Sequence, residues 1–523
     1  MKTNVSWLYF QRLPAFLKVF LLAAALVTTS FILQSNIGIN LGDEGFLWYG
    51  TIHTALGEVP IRDFQSYDPG RYYWGAAWFK IFGNDSILSL RISTAIFQTI
   101  GLAFGLLSLK RVTQSWWLLA IEGLLLLLWM FPRHKLFEPS IAMAAVYFGI
   151  LLLERPSLLR HFIAGVFVGL AAFLGRNHGL YAFLSFLLLI FFTWAKLGRN
   201  DIFRRFVAWG CGILMGYSPM FFMLFVVPGF FESFVDSIKF LFRLGGTNLP
   251  LPVPWVWYPN YSEMNLIQAA NAFSIGIFFL ILPLFNTLIL IQLFLSKRDA
   301  LRLKHPLIAS TFVSFLYMHY AFSRADLGHL AQAIHPLLIG LMCLPSMFRG
   351  NFKKKANTGL LSITFAATLL SVGLVSPYYL RVTAPPEQYV QRSVTGDTLW
   401  MDVATANLID TVIKINNQLI QPNEGLLIAP HWPTFYPIVQ RKSPIWDIYL
   451  LFPEVEDRQK TMIEELRKKN VNWIILGDIA LDGRDELRFK NTHPLLWNHF
   501  QEDFEVIGTK SLPDNYELLQ RKE

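Results

Sequence analysis

Five carboxylates, Asp43, Glu44, Glu58, Asp63 and Asp68, fall within 26 residues, in a stretch that also carries Arg71. They are a third of the 15 acidic side chains in residues 1–380, so their clustering asks for a reason. A carboxylate held partly out of water can take the proton of an attacking hydroxyl in a transition state, which makes the adjacent pair Asp43-Glu44 a candidate general base. The plainer alternative is that Asp43 caps a helix beginning at Glu44. Cations recur in four other short segments: FPRHKLFEP with Arg133, His134 and Lys135; GRNHG with Arg176 and His178; ESFVDSIKFLFRLGG with Arg243; and SRADLGH with Arg324, Asp326 and His329. Positive groups of this kind stabilise a developing phosphate charge, and the arginine fork does so with two hydrogen bonds at once. Each has a structural counterpart. Arg133, Lys135, Arg176 and His178 could snorkel at span ends, Asp326 could cap a helix with Arg324 as its ion-pair partner, and Arg243 could lie on a solvated face.

The elements that must position these groups are apolar. The 523 residues are 54% hydrophobic and 15% charged, with a mean hydropathy of +0.41. Soluble domains carry about 25% charged residues, so the composition points into a bilayer and away from disorder, a coiled coil or a cytosolic enzyme. Stretches long enough to cross a hydrocarbon layer of about 30 Å recur near 15–35, 88–108, 115–131, 138–153, 162–175, 179–195, 207–228, 267–295, 307–322, 329–347 and 359–377. Ala23–Ala25 resemble a signal-peptide cleavage region, but the apolar core around them is long and more spans follow, so an uncleaved anchor is expected.

Basic residues gather in alternate loops: Lys2, Arg12 and Lys18; Lys110 and Arg111; Arg155 and Arg160; Lys196, Arg199, Arg204 and Arg205; Lys297, Arg298, Arg302 and Lys304; Arg349 with Lys353, Lys354 and Lys355. The positive-inside rule puts this set in the cytoplasm, and eleven spans then carry the C-terminal residues outside. Net charge follows the same division, +14 over residues 1–380 and −5 over 381–523, so the overall +9 is a membrane-orientation signal and gives no reason to expect nucleic acid. The acidic cluster occupies the first external loop, about 37–87, far longer than its neighbours. Its Trp and Tyr content predicts two short interfacial helices, roughly 44–56 and 71–82, joined by a turn at Asp68-Pro69-Gly70. Beyond Pro385-Pro386 the pattern changes: EGLLIA and VNWIILGD read as buried strands and QKTMIEELRKKN as an amphipathic helix. The fold class is therefore an α-helical polytopic membrane protein, residues 1–380, with a small extracytoplasmic α/β domain, residues 385–523.

Asp43-Glu44, Gly57, Pro60, Asp63, Pro69, Tyr72-Tyr73, Phe82-Gly83 and Arg91 together resemble the first external loop of GT-C glycosyltransferases. These are polytopic enzymes that use polyprenyl-phosphate-linked sugars and include bacterial relatives of the protein O-mannosyltransferases and the aminoarabinose transferases. The resemblance extends to the plan of many spans, a large acidic first loop and an extracytoplasmic C-terminal domain; over residues 385–523 it is loose. It implies a GT-C-like fold and an inverting hexosyl- or pentosyltransferase of cell-envelope glycan biosynthesis. Such an enzyme would move a sugar from a polyprenyl-phosphate donor to a glycolipid, polysaccharide or protein acceptor. It also implies that Asp43 is the general base, with Glu44 at the second acidic position, and that the organelle is a bacterial inner membrane with the site on its outer face. The remaining acids and the basic segments would then serve donor phosphate or sugar.

Other classes have weaker support. A lipid-linked-sugar flippase or transporter places ionisable groups at mid-membrane and often shows two similar halves; Glu122 alone fits that pattern. An O-antigen polymerase or ligase carries its large loop late in the chain. No nucleotide-binding glycine motif, H-E-x-x-H or Cys–His zinc spacing is present, and Cys211 and Cys343 both lie in apolar stretches. No cofactor is required, although Asp43, Glu44, Asp63 and Asp68 would offer oxygen ligands to a divalent cation. The GLAFG segment at 101–105 matches the small-residue pairing motif of membrane helices.

Overall fold

The structure is a computed structural model and describes residues 13–198, 201–245, 249–301, 304–348, 350–508 and 512–523. Of the basic residues used above for orientation, Lys2, Arg12, Arg199, Arg302 and Arg349 lie outside the described residues. The chain forms two compact units, Met1–Gln34 with Ile92–Leu380, and Ser35–Arg91 with Arg381–Glu523. Four helices come first: α1 (Ala15–Gln34), α2 (Asp43–Ala55), α3 (Pro69–Phe82) and α4 (Ile87–Leu109). Helices α2 and α3 belong to the second unit, α1 and most of α4 to the first.

The first unit continues with α5 (Trp116–Leu128), α6 (Phe137–Glu154), α7 (Leu158–Leu174), α8 (Arg176–Leu197), α9 (Ile202–Gly216), α10 (Ser218–Val226), α11 (Phe230–Leu244), α12 (Leu266–Leu295), α13 (His305–Ser323), α14 (Leu327–Ala333), α15 (His335–Cys343) and α16 (Gly350–Val372). Every expected apolar stretch is helical. Among the described residues six helices are long and apolar enough to span a bilayer, or up to eight if the bent pairs at Tyr217 and at Ile334 each count as one span. The chain is an integral membrane protein. Both bends have a proline just after them, Pro219 and Pro336, where the ring forbids an ordinary helical hydrogen bond. His335 sits fully buried at the second bend and donates through Nε2 to the Leu126 carbonyl at 3.0 Å.

Close helix contacts in this unit use glycine. A Cβ at Gly212 on α9 would lie 2.1 Å from the Phe162 carbonyl, and one at Gly165 on α7 would lie 2.1 Å from the Trp209 carbonyl. Small residues let these backbones meet where side chains would hold them apart. Gly101 likewise brings α4 against Ser140 of α6, where a Cβ would come within 2.3 Å of its side chain, so the GLAFG motif serves packing within the chain.

The second unit combines the long first loop with the C-terminal residues. Strands β1 (Tyr389–Val394) and β2 (Asp397–Asp402) form a hairpin, followed by α17 (Val403–Gln418), β3 (Gly425–Ala429), α18 (Phe435–Val439), α19 (Glu456–Lys468), β4 (Val471–Gly477), α20 (Pro494–Asp503), β5 (Phe504–Ile507) and β6 (Tyr516–Arg521). The main sheet has the order β3-β4-β6-β5, with β3 and β4 parallel and the other pairs antiparallel. A parallel pair needs a crossover, which α19 supplies, and β4 is apolar nearly throughout because both its faces are covered. The α/β reading of this segment holds; the β1–β2 hairpin and the β5–β6 pair were not foreseen.

One local expectation is corrected. Pro69 and Gly70 do not form a joining turn: they lie in the first turn of α3, with Asp68 at the N-cap position. Proline is favoured there because the first helical amides lack partners anyway. Helix α2 is largely buried, with Trp48 and Tyr49 1% exposed. Only α3 keeps an exposed apolar edge, at Tyr73, Ile81 and Phe82.

Candidate functional site

Helix α2 starts at Asp43, with Gly42 as its N-cap residue, so Asp43 does not cap a helix beginning at Glu44. The two neighbouring acids point into different surroundings. Glu44 is 2% exposed and its two oxygens meet Arg91 Nε and a terminal guanidinium nitrogen, both at 2.8 Å. The Asn40 amide donates to the same carboxylate at 3.1 Å, and Arg91 also donates to the carbonyls of Ser35 at 2.5 Å and Gly38 at 2.8 Å. This fork ties the chain entering α2 to the start of α4. A buried pair with every donor and acceptor satisfied holds geometry, since removing either member strands a charge.

Asp43 is partly exposed. Residues three apart on a helix share a face, which puts Asp43 on the side of Phe46. Phe46 packs edge-on against Tyr67 with centroids 4.9 Å apart and lies 5.7 Å from the Tyr449 ring. The Arg71 guanidinium, 4% exposed, sits 4.8 Å over Tyr67. Tyr449 also comes against Gly42, where a Cβ would meet its hydroxyl at 2.6 Å. The residues flanking Asp43 in sequence, Gly42 and Phe46, thus meet an aromatic wall drawn from the first loop and the C-terminal segment.

That wall is built by docking within the unit. Thr434 donates its amide to the Leu41 carbonyl at 3.2 Å and its hydroxyl to the Asn40 carbonyl at 3.0 Å. Gly45 permits the approach, because a Cβ there would lie 2.4 Å from the Thr434 nitrogen. Further along, the Ser443 amide donates to the Tyr49 hydroxyl at 3.1 Å, Trp446 Nε1 to the Ile61 carbonyl at 3.0 Å, and Lys442 pairs with Glu58 at 2.8 Å. The HWPTFYPIV segment is thus a docking turn, with Trp432 stacked on Tyr516 at 3.5 Å.

Of the remaining acids of the loop, Glu58 and Asp63 are held in ion pairs. Asp63 pairs with Arg62 at 2.8 Å and accepts from the Val59 amide at 2.7 Å, closing a tight bend in which Ile61 has a φ of 74°. Burial works against ionising Asp63, but the bonds from Arg62 and Val59 outweigh it and hold the carboxyl below its usual range. Asp68 is 8% exposed at the head of α3. Burial pushes the His53 imidazole down against the opposing pull of Glu58, 3.0 Å away. Among the described residues no three His, Cys, Asp or Glu side chains are grouped to hold a metal ion. Glu44 and Asp63 are each engaged by an arginine.

In the membrane unit, two of the expected cationic segments meet. His178, 3% exposed near the start of α8, lies 3.2 Å from the Tyr317 hydroxyl. The Tyr320 ring is flanked by His178 at 5.3 Å and by His329 at 5.5 Å, so GRNHG and SRADLGH share one aromatic platform. Asp326 does cap α14, accepting from the His329 amide at 2.7 Å, and it also pairs with Arg324 at 2.8 Å. His319, which sequence reasoning passed over, joins through Tyr181 at 2.9 Å. Arg176 donates to Ser237 of α11 at 3.0 Å and lies over Phe234 at 5.4 Å. Arg133, His134 and Lys135 form a single 3₁₀ turn before α6, with Arg133 donating to the Gln34 carbonyl at 3.2 Å. Arg243 is exposed on the last turn of α11, over Phe240, apart from this cluster. Glu122 is fully buried in α5 and accepts from Thr113 at 2.9 Å.

No protein-family model matches the chain, and no curated protein matches it in sequence. Solved structures do match it in fold. ArnT from Cupriavidus metallidurans bound to undecaprenyl phosphate is 12% identical, with a TM-score of 0.53 over 97% of this chain and 98% of that one. The same protein in its apo state gives 12% identity and a TM-score of 0.53 over 95% and 97%. The Archaeoglobus fulgidus oligosaccharyltransferase in its apo form gives 12% and 0.46 over 96% and 75%, too distant to argue from. The chain therefore shares the fold of that ArnT structure over nearly its whole length.

Proposed function

We propose that this protein is an inverting glycosyltransferase that moves a sugar from a polyprenyl-phosphate donor to an acceptor on the extracytoplasmic face of a bacterial inner membrane. The observation that carries the reading is the division of labour within the acid pair. Arg91 occupies both oxygens of Glu44 and fixes the first turn of α2. Asp43 then stands beside Phe46, Tyr67 and Tyr449 as the base that takes the acceptor's proton. Glu44, which stood beside Asp43 as a catalytic candidate, becomes a positioning residue. Arg71 and Asp68 belong to the acceptor side. Arg176, His178, Arg324 and His329, with the Arg133–Lys135 turn, serve the lipid phosphate. Residues 1–380 carry the catalytic machinery and residues 385–523 complete the acceptor side. The ArnT structure was obtained with undecaprenyl phosphate, which is the class of leaving group proposed for this chain.

In the reaction, the acceptor oxygen attacks the anomeric carbon in line, and the bond to the phosphate oxygen breaks on the opposite face. No metal-dependent step is invoked. The test is reconstitution in liposomes with radiolabelled undecaprenyl-phosphate-linked hexoses and pentoses plus a membrane-lipid extract. Label recovered on an acceptor supports transfer. Label that crosses the bilayer still attached to its original lipid would instead identify a flippase, the class that Glu122 alone favours.

A further inference from the structure

We propose that His329, oriented by Asp326, donates a proton to the departing lipid phosphate; the inference rests on the transfer reading above and assigns it a general acid. Asp326 makes more contacts than a cap requires. One oxygen accepts from the His329 amide at 2.7 Å and faces His329 Nδ1 at 2.9 Å, while the other accepts from Arg324 Nε at 2.8 Å. With Nδ1–H held by the carboxylate, the opposite ring nitrogen, Nε2, becomes the working end of the imidazole.

That nitrogen has no hydrogen-bond partner among the described residues, and the side chain is 17% exposed, so a ligand can reach it. The ring cannot swing freely. Tyr320 stacks on it at 5.5 Å, and Tyr320 itself is held by a bond from its hydroxyl to Gln332 at 2.7 Å. Gln332 in turn donates to the Gly328 carbonyl at 2.9 Å. The titratable and charged groups around His329 are Asp326 and Arg324 from the connecting loop, Tyr320 from α13, and His178 of α8 on the far side of the Tyr320 ring. A carboxylate–imidazole pair with its outer nitrogen open is an acid–base device. A capping role alone would use Asp326 and the backbone, not the ring.

The chemistry balances. The acceptor oxygen bonds to the anomeric carbon and its proton passes to the base that serves the acceptor. The bond from that carbon to the phosphate oxygen breaks, leaving the electron pair on phosphate. The Nε2 proton of the His329 imidazolium goes to a phosphate oxygen, giving the lipid hydrogen phosphate and neutral imidazole. A phosphate monoester has its second ionisation near pH 6, within the range where imidazole exchanges protons readily. The imidazole returns to its starting state by exchange with water.

The test uses the full-length protein and the undecaprenyl-phosphate-linked sugar that the wild type transfers. His329→Gln is expected to lower kcat by about 10²–10⁴-fold with donor KM within about threefold. Asp326→Asn keeps a competent cap but removes the carboxylate behind the ring, and is expected to lower kcat with donor KM nearly unchanged. His329→Gly, given free imidazole, should recover activity in proportion to the imidazolium present. The proposal is overturned if His329→Gln keeps the wild-type kcat, if it loses activity only through KM or folding, or if free imidazole restores nothing to His329→Gly. No transfer by the wild type with any donor would fail the glycosyltransferase reading first, and the dyad with it.

Discussion

Consecutive positions on a helix lie about 100° apart, and at the start of α2 that offset separates two acids with the same chemistry. Glu44 turns inward to a 2%-exposed arginine, while Asp43 stays partly exposed beside Phe46. Their substitutions should therefore fail differently. Glu44→Gln leaves the Arg91 guanidinium buried with only neutral partners and should cost about 3–5 kcal/mol. Thermal unfolding of the purified protein checks this: Tm should fall well below that of Asp43→Asn, and Glu44→Gln with Arg91→Met should regain part of the loss. Equal destabilisation by the two single variants would contradict the assignment. The acid pair was legible in the sequence, but its internal division was not. The available signal was Arg91 itself, a lone arginine within the first turns of an apolar helix, which demands a buried partner.

At the scale of elements, local pattern carried far. The apolar stretches all became helices, and Pro219 and Pro336 mark the two breaks. The strands at 425–429 and 471–477 stood out because a buried parallel pair is continuously apolar. The β5–β6 pair escaped notice because its short strands alternate weakly. The docking of Pro430–Thr434 onto residues 40–45 was also beyond local reading, since it depends on surfaces almost four hundred residues apart in sequence. Glycines offer a sharp test at this scale. Gly210 and Gly212 lie two residues apart on α9, yet a Cβ at Gly210 meets nothing within 4 Å while one at Gly212 would strike the Phe162 carbonyl at 2.1 Å. Gly212→Leu should abolish the monodisperse peak in detergent gel filtration, and Gly210→Leu should leave it unchanged. If both behave alike, the α7–α9 packing described here is wrong.

For the molecule as a whole, the composition pointed to an integral membrane protein and the first loop resembled that of GT-C glycosyltransferases; the fold match to ArnT covers nearly the entire chain. What it did not show is that the long first loop and the C-terminal segment make one compact unit. That unit carries a pH dependence of its own. Burial pushes His493, 1% exposed, down to about 4. On unfolding the imidazole returns to its ordinary value near 6.5 and binds a proton, so the stability it contributes above pH 6.5 is lost as pH falls toward 4. His493→Asn should flatten the fall of Tm across that window by the equivalent of roughly 2–3 kcal/mol; an unchanged slope would show that the histidine is not the group responsible.

The most direct test of the account compares wild type with Asp43→Asn in reconstituted sugar transfer, with binding of the undecaprenyl-phosphate-linked donor measured on the same preparations. The account predicts that the variant folds, binds donor as the wild type does and transfers sugar about 10²–10⁴-fold more slowly. Transfer by Asp43→Asn at the wild-type rate would contradict it.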